Sequence, residues 1–227
     1  MSARLLTWLY LAWALPCIGI VLLRDPRTPD ALTHYAVSAW LGLALLFVRW
    51  LRRLGSRRSP RLVFIAACVA SAAVVEGCYM ISAPLHPALR ITAQTSAGEA
   101  LRSLAIDLAL TTPAYIAIFW AVSALLRRYA YRPIEFVVLM GAGQALGDGI
   151  AYLSANPGML VFLPWLMVSY HAMTLAPYLA LRDRLGGPTV RRRPAMFVLP
   201  LVVLPAVYWL AGGSIIVVGR ALGWTSS

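Results

Sequence analysis

The chain has 227 residues, 61% of them hydrophobic and 12% charged, with a net charge of +12. A charged fraction half the usual ~25% excludes an ordinary soluble domain. All 20 basic residues are arginine, and the lack of lysine excludes Schiff-base chemistry, a retinal-binding pigment included.

The apolar residues fall in blocks of about 20, the length that crosses a hydrocarbon core of about 30 Å. Seven spans are expected in chain order: 5–23, 31–51, 62–83, 104–126, 133–153, 159–181 and 194–218. The first reads as too long for a cleavable signal peptide. Polar or Pro/Gly-rich segments separate the spans. The seventh is interrupted by Pro200, Pro205 and Gly212–Gly213. The expected fold is therefore an all-α integral membrane bundle of seven transmembrane helices, one domain over residues 1–227.

The arginines set the orientation. With the N-terminus inside, fifteen face the inner side and five (Arg24, Arg27, Arg90, Arg102 and Arg220) the outer side. This is a positive-inside bias, with the N-terminus cytoplasmic and the C-terminus outside. It accounts for the basic excess without nucleic acid, which is not an expected partner. All-arginine usage fits a GC-rich bacterial genome and hence a bacterial inner membrane. Cys17, Cys68 and Cys78 lie in apolar segments without a CxxC pair, and read as small core residues. The three histidines are dispersed, so no metal and no cofactor are expected.

A charge at mid-bilayer costs about 2.5–3.5 kcal/mol on insertion scales. The residues that bear this cost are His34, Glu76, Asp107, Gln144, Asp148 and His171. Glu76 lies two-thirds of the way out along span three, too deep to snorkel. Gln144 and Asp148 are one helical turn apart on span five and share a face. All but His171 fall in the outer half, with Tyr79, Tyr115 and Tyr152 at similar depth. One polar pocket, shielded from lipid and reached from the outer leaflet, accommodates them. Each residue also has a plainer role. His34 and Asp107 can reach interfacial water. Asp148 lies in a run containing Gly141, Gly143, Gly147 and Gly149, which suits helix packing. His171 can bond a neighbouring helix. A carboxylic acid kept neutral is a proton donor, and aromatic faces attract cations. The pattern admits proton chemistry on a lipid-like molecule or a proton-coupled binding site.

Two segments carry a resemblance. Span three reads Val74-Val75-Glu76-Gly77-Cys78-Tyr79, and span five reads Gly143-Gln144-Ala145-Leu146-Gly147-Asp148, followed by Tyr152. Both resemble the emopamil-binding protein (EXPERA) family of sterol isomerases, whose segments look like V-I-E-G-aromatic and G-Q-x-x-G-D. Asp107 falls where that family has a membrane glutamate, and Trp120 matches a tryptophan at the same offset. Trp165, Tyr170, His171 and Pro177 resemble the family's last helix, and the Arg-rich turn before Pro133 has a counterpart. The resemblance spans about residues 30–183. It implies a five-helix core in spans two to six, with spans one and seven flanking it. It also implies an intramembrane cavity for a sterol or other isoprenoid. Carried over, Glu76 and Asp107 match the two family glutamates, His171 stands at an asparagine position and Asp148 at the GD aspartate. Ala72 replaces the family histidine and Thr174 a tryptophan.

The resemblance thus implies an isomerase or cyclase working by protonation and carbocation stabilisation. Its expected catalytic residues are Glu76, Asp107, His171 and Asp148. Tyr79, Tyr115, Trp120, Gln144, Tyr152, Trp165, Tyr170 and Thr174 are expected to bind substrate. The alternatives are a non-catalytic lipid-binding or trafficking protein of the sigma-2-receptor type and a proton-coupled transporter component. The expected partners are an apolar sterol or isoprenoid molecule and membrane lipids, with a homodimer left open.

Overall fold

The computed structural model describes residues 2–186 and 194–221. The inner-side arginines Arg191, Arg192 and Arg193 lie outside the described residues. The described chain is helical without strands: α1 (Ala3–Arg24), α2 (Pro29–Leu46), α3 (Val48–Arg57), α4 (Pro60–Tyr79), α5 (Ala97–Arg128), α6 (Pro133–Ala155), α7 (Leu163–Leu185) and α8 (Ala195–Ala221). Short 3-10 turns cover Pro87–Leu89 and Pro157–Phe162.

Local chemistry explains where the helices begin. The hydroxyls of Ser2 and Thr28 accept the N–H groups of Leu5 and Ala31, each at 3.2 Å. Ser96 and Glu99 form a reciprocal capping box at the head of α5, with the Ser96 N–H donating to Glu99 Oε2 at 2.9 Å. Proline opens α2, α4 and α6 at positions where its missing N–H costs nothing.

Five helical stretches among the described residues are long and apolar enough to cross a membrane: Ala3–Arg24, Pro60–Tyr79, Ala97–Arg128, Pro157–Leu185 and Ala195–Gly219. The number rises to six if α2 and α3, bent by 54°, form one broken span. The apolar outer surface agrees with a multi-pass membrane protein. Trp8, Leu46 and Trp209 are all more than 70% exposed, an arrangement water penalises and lipid does not.

Each expected span falls on a helix, with two departures. The stretch 31–51 is not one straight rod. At Phe47 the N–H reaches back to the Ala44 carbonyl at 3.1 Å, an i→i−3 tightening, and the chain turns into α3. The stretch 194–218 is one continuous helix despite Pro200 and Pro205.

α7 is the hub. Its span is 67% buried, against 11% for α1 and 17% for α8, and α1, α2, α3, α4 and α6 all pack on it. The last helix makes close contacts of its own with the helices of spans two to six. α8 packs heavily on both α5 and α6 and closes the bundle between them. Glycine lets it approach. A Cβ on Gly147 would stand 2.7 Å from Tyr208 Cβ and 2.8 Å from Pro205 Cα, and one on Gly143 would meet the Pro200 carbonyl. Gly143 and Gly147 lie one turn apart on one face of α6, the small-xxx-small arrangement by which membrane helices come close. The last helix is therefore seated closely on α6, although only 17% of its span is buried.

Candidate functional site

Three of the six polar residues at membrane depth, His34, Glu76 and Asp148, line one cavity of about 840 Å³. It is bordered by α2, α4, α5, α6, α7 and α8, with Val21 of α1 at its edge. α4 supplies Glu76 and Tyr79, which lie three residues apart on one face. α5 supplies Thr111, Tyr115 and Ile118, spaced by four and three. α6 supplies Asp148 and Tyr152, again one turn apart, and α7 supplies Trp165, Ser169, Tyr170 and Met173.

Two carboxyl–phenol pairs line the cavity, with Glu76 half-buried and Asp148, against the expectation of a shielded pocket, exposed. The Tyr115 hydroxyl donates to Glu76 Oε1. The Tyr170 hydroxyl donates to Asp148 Oδ2 at 2.6 Å. Each phenol occupies one carboxyl oxygen as an acceptor. A proton carried by Glu76 therefore resides on Oε2, and one carried by Asp148 on Oδ1, the oxygens without a protein partner among the described residues. No arginine lines the cavity among the described residues, so no guanidinium neutralises either acid there.

A second cluster forms the opposite wall. The His34 ring stacks on Trp165 with centroids 3.6 Å apart and an angle of 18°. His34 Nδ1 donates to the Asp30 carbonyl at 2.9 Å. A donating Nδ1–H leaves neutral Nε2 as the acceptor, 3.4 Å from the Tyr79 hydroxyl. Tyr79 also shares a 2.7 Å hydrogen bond with Ser169. The cavity therefore brings together two carboxyl–phenol pairs, a stacked histidine–tryptophan pair and, beside His34, Asp30.

Among the expected residues, Glu76, Asp148, Tyr79, Tyr115, Tyr152, Trp165 and Tyr170 line this cavity. The other five do not, for separate reasons. Asp107 is fully buried, and its Oδ1 accepts the Leu85 N–H at 3.2 Å. It ties α5 to the loop after α4 and reaches Glu76 only through its charge. His171 turns toward α6, where Nε2–H donates to the Val137 carbonyl at 3.0 Å. The ring lies so close to Gly141 that a Cβ there would come within 2.5 Å of Nε2. Gln144 is buried and donates along its own helix to the Met140 carbonyl at 3.0 Å. Thr174 closes a local bond to the Tyr170 carbonyl at 2.7 Å. Trp120 is 55% exposed and carries the Arg61 guanidinium 4.4 Å above its ring.

Most of the lining residues were not among the expected binding set, Ser169, Tyr208 and His34 among them. Ser169 has no hydropathic signal inside an apolar helix. Tyr208 lies on α8, and its buried hydroxyl has no partner among the described residues. Its ring meets that of Tyr170 edge-on at 5.9 Å. His34 stood out as a polar residue at membrane depth, and its role as a wall became visible only through the stacking with Trp165. The G-Q-x-x-G-D segment divides by face. Its two glycines seat α8, its glutamine is locked into its own helix, and its aspartate alone reaches the cavity.

Compared with protein-family models, curated proteins and solved structures, the chain matches none.

Proposed function

We propose that this chain is an integral-membrane isomerase or cyclase that protonates an isoprenoid, such as a sterol, inside the cavity between α4, α5, α6, α7 and α8. The observation that carries the reading is the pair of carboxyls, Glu76 and Asp148, each held by a tyrosine in one aromatic-walled cavity. The paired tyrosine bonds direct any acidic proton to the oxygens left free. A carboxylic acid placed against an alkene transfers that proton to one alkene carbon and leaves a carbocation on the other. The second carboxylate and the faces of Tyr115 and Trp165 stabilise the cation. Loss of a proton from a neighbouring carbon to a carboxylate gives the shifted alkene. Attack by an internal double bond before that loss gives a ring. Neither outcome needs an oxidant or reductant.

The layout that serves this function has seven spans, with α2 and α3 counted as one. α6, 23 residues long, reaches about 35 Å at the helical rise, enough to cross the hydrocarbon core. The arginine distribution orients the N-terminus toward the cytoplasm of a bacterial cell. The cavity then opens near the outer leaflet. The segments around Glu76 and Asp148 support distant kinship with the emopamil-binding protein family, with α8 a further wall.

One observation favours a second reading, a lipid-binding protein without chemistry. Ala72 stands one turn before Glu76, and His171 faces away from the cavity, so no histidine adjoins the carboxyl pair as a relay. Incubation of the purified protein in D2O with a ring-unsaturated sterol and an acyclic polyprenyl alkene separates the two readings. An enzyme incorporates solvent deuterium into the recovered lipid, detected by mass spectrometry, and Glu76→Gln with Asp148→Asn abolishes it. Recovery of bound lipid without deuterium, equal in wild type and variant, would overturn the catalytic reading in favour of binding.

A further inference from the structure

A second cavity lies at the other end of the bundle. It has a volume of about 670 Å³ and is walled by apolar side chains of α2, α3 and α4. Trp40, Phe47 and Trp50 border one side. The opposite wall is the face of α4 on which Leu62, Ala66 and Ala70 follow at four-residue spacing. Leu62 to Ala70 is about 12 Å of helix, and the two alanines leave an open trough along it. Ala66 and Ala70 are both exposed. Arg58 stands at the mouth, in the turn between α3 and α4.

The charge around this mouth is one-sided. Residues 49–61 hold six arginines, and no acidic residue occurs between positions 31 and 75. None of Arg49, Arg52, Arg53, Arg57 and Arg58 has an acidic partner among the described residues. α3 buries Leu51 and Gly55 against the bundle and exposes its arginines. The 54° bend at Phe47 turns it away from the α2 axis. A short helix with an apolar inner face and a cationic outer face belongs in a membrane interface, where anionic headgroups lie.

We propose that this groove is a binding site for one anionic phospholipid, with its phosphate on Arg58 and an acyl chain along the Leu62–Ala70 trough of α4. The occupant follows from the joined chemistry. An apolar trough alone takes any acyl chain, whereas unpaired guanidinium groups at its mouth select a phosphate with net negative charge. Arg58 supplies the direct contact, and its α3 neighbours supply the field.

Native mass spectrometry of the full chain in detergent tests this, with phosphatidylglycerol and phosphatidylcholine of identical acyl chains as probes. Phosphatidylglycerol is expected to bind in a 1:1 ratio and at least tenfold more tightly than phosphatidylcholine. Arg58→Gln is expected to weaken phosphatidylglycerol about fivefold, the worth of one basic residue near a charged membrane surface, with little change for phosphatidylcholine. Ala66→Leu with Ala70→Leu fills the trough and is expected to weaken both lipids. These alanines are exposed, so the fold survives, as an unchanged melting temperature in detergent will show. Arg102→Gln, at the far end of the bundle, leaves both affinities unchanged. Equal binding of the two lipids by the wild type would overturn the proposal. So would an Arg58→Gln protein that keeps the tenfold preference, or a filled trough that leaves phosphatidylglycerol binding intact.

Discussion

Replacing Gly147 by alanine tests the claim that α8 is seated closely on α6. The added Cβ would lie 2.7 Å from Tyr208 Cβ and 2.8 Å from Pro205 Cα, where ordinary contacts begin at 3.4 Å. α8 must therefore retreat by about 0.7 Å along that line. No rotamer change relieves the clash, because both opposing atoms are fixed to the backbone of α8. Overpacking of this kind costs about 1–3 kcal/mol. Alanine also gains about 0.5–1 kcal/mol over glycine in any helix interior, which would mask part of the effect. Gly42→Ala removes that ambiguity. Gly42 lies in the middle of α2, with nothing within 4 Å of a new Cβ, so it reports the helix gain alone. The gap between the two variants is the overpacking cost. At about 2–4 °C per kcal/mol for a chain of this size, the melting temperatures should differ by about 2–12 °C, with Gly147→Ala the lower. Thermal unfolding in one detergent at one scan rate measures it. A Gly147→Ala protein that melts within 1 °C of Gly42→Ala would refute the seating of α8 on α6.

The remaining outcomes separate cavity walls from structural polar groups. Asp107→Leu should destabilise the protein by about 1–3 kcal/mol, because the Leu85 N–H loses its buried acceptor; Asp107→Asn should recover most of this in the same melting assay. Trp120→Ala should leave binding of a fluorescent sterol unchanged and cost about 0.5–1 kcal/mol of stability through the lost Arg61 contact. Tyr115→Phe should lower sterol turnover or affinity at least tenfold at unchanged melting temperature, since it removes only the bond that orients Glu76; titration of sterol binding with parallel melting curves checks it.

Residue depth along the helices was legible in the sequence, and residue rotation about them was only partly so. Apolar block length located the helices, and counting turns put Glu76, Asp148, Tyr79, Tyr115 and Tyr152 at one level. Facing was readable for Glu76 and Tyr79, three apart, but not for Gln144 and Asp148, one turn apart, of which the aspartate alone reaches the cavity. It was not readable for Asp107 or His171. Each is alone on its stretch of helix, and its direction depends on which neighbour packs there. Asp107 turns to the Leu85 loop and His171 to Gly141. Hydropathy also carries no signal for Tyr208, whose place in the wall depends on α8 reaching back across more than 60 residues to Gly143 and Gly147. The bend at Phe47 lacks a proline or glycine to announce it, and only the backbone shows it.

The position of α8 sets the order in which the cavity comes into being. α5 and α6 are neighbours in the chain, yet the gap between them is filled by a helix made after both and after α7. Until α8 enters, Gly143 and Gly147 present a bare seam, and the cavity lacks the wall that bears Tyr208. The cavity therefore takes its full outline only once the last helix is seated beside α5 and α6. Assembly of the site is the closing act of biogenesis, and the glycine pair on α6 is the latch.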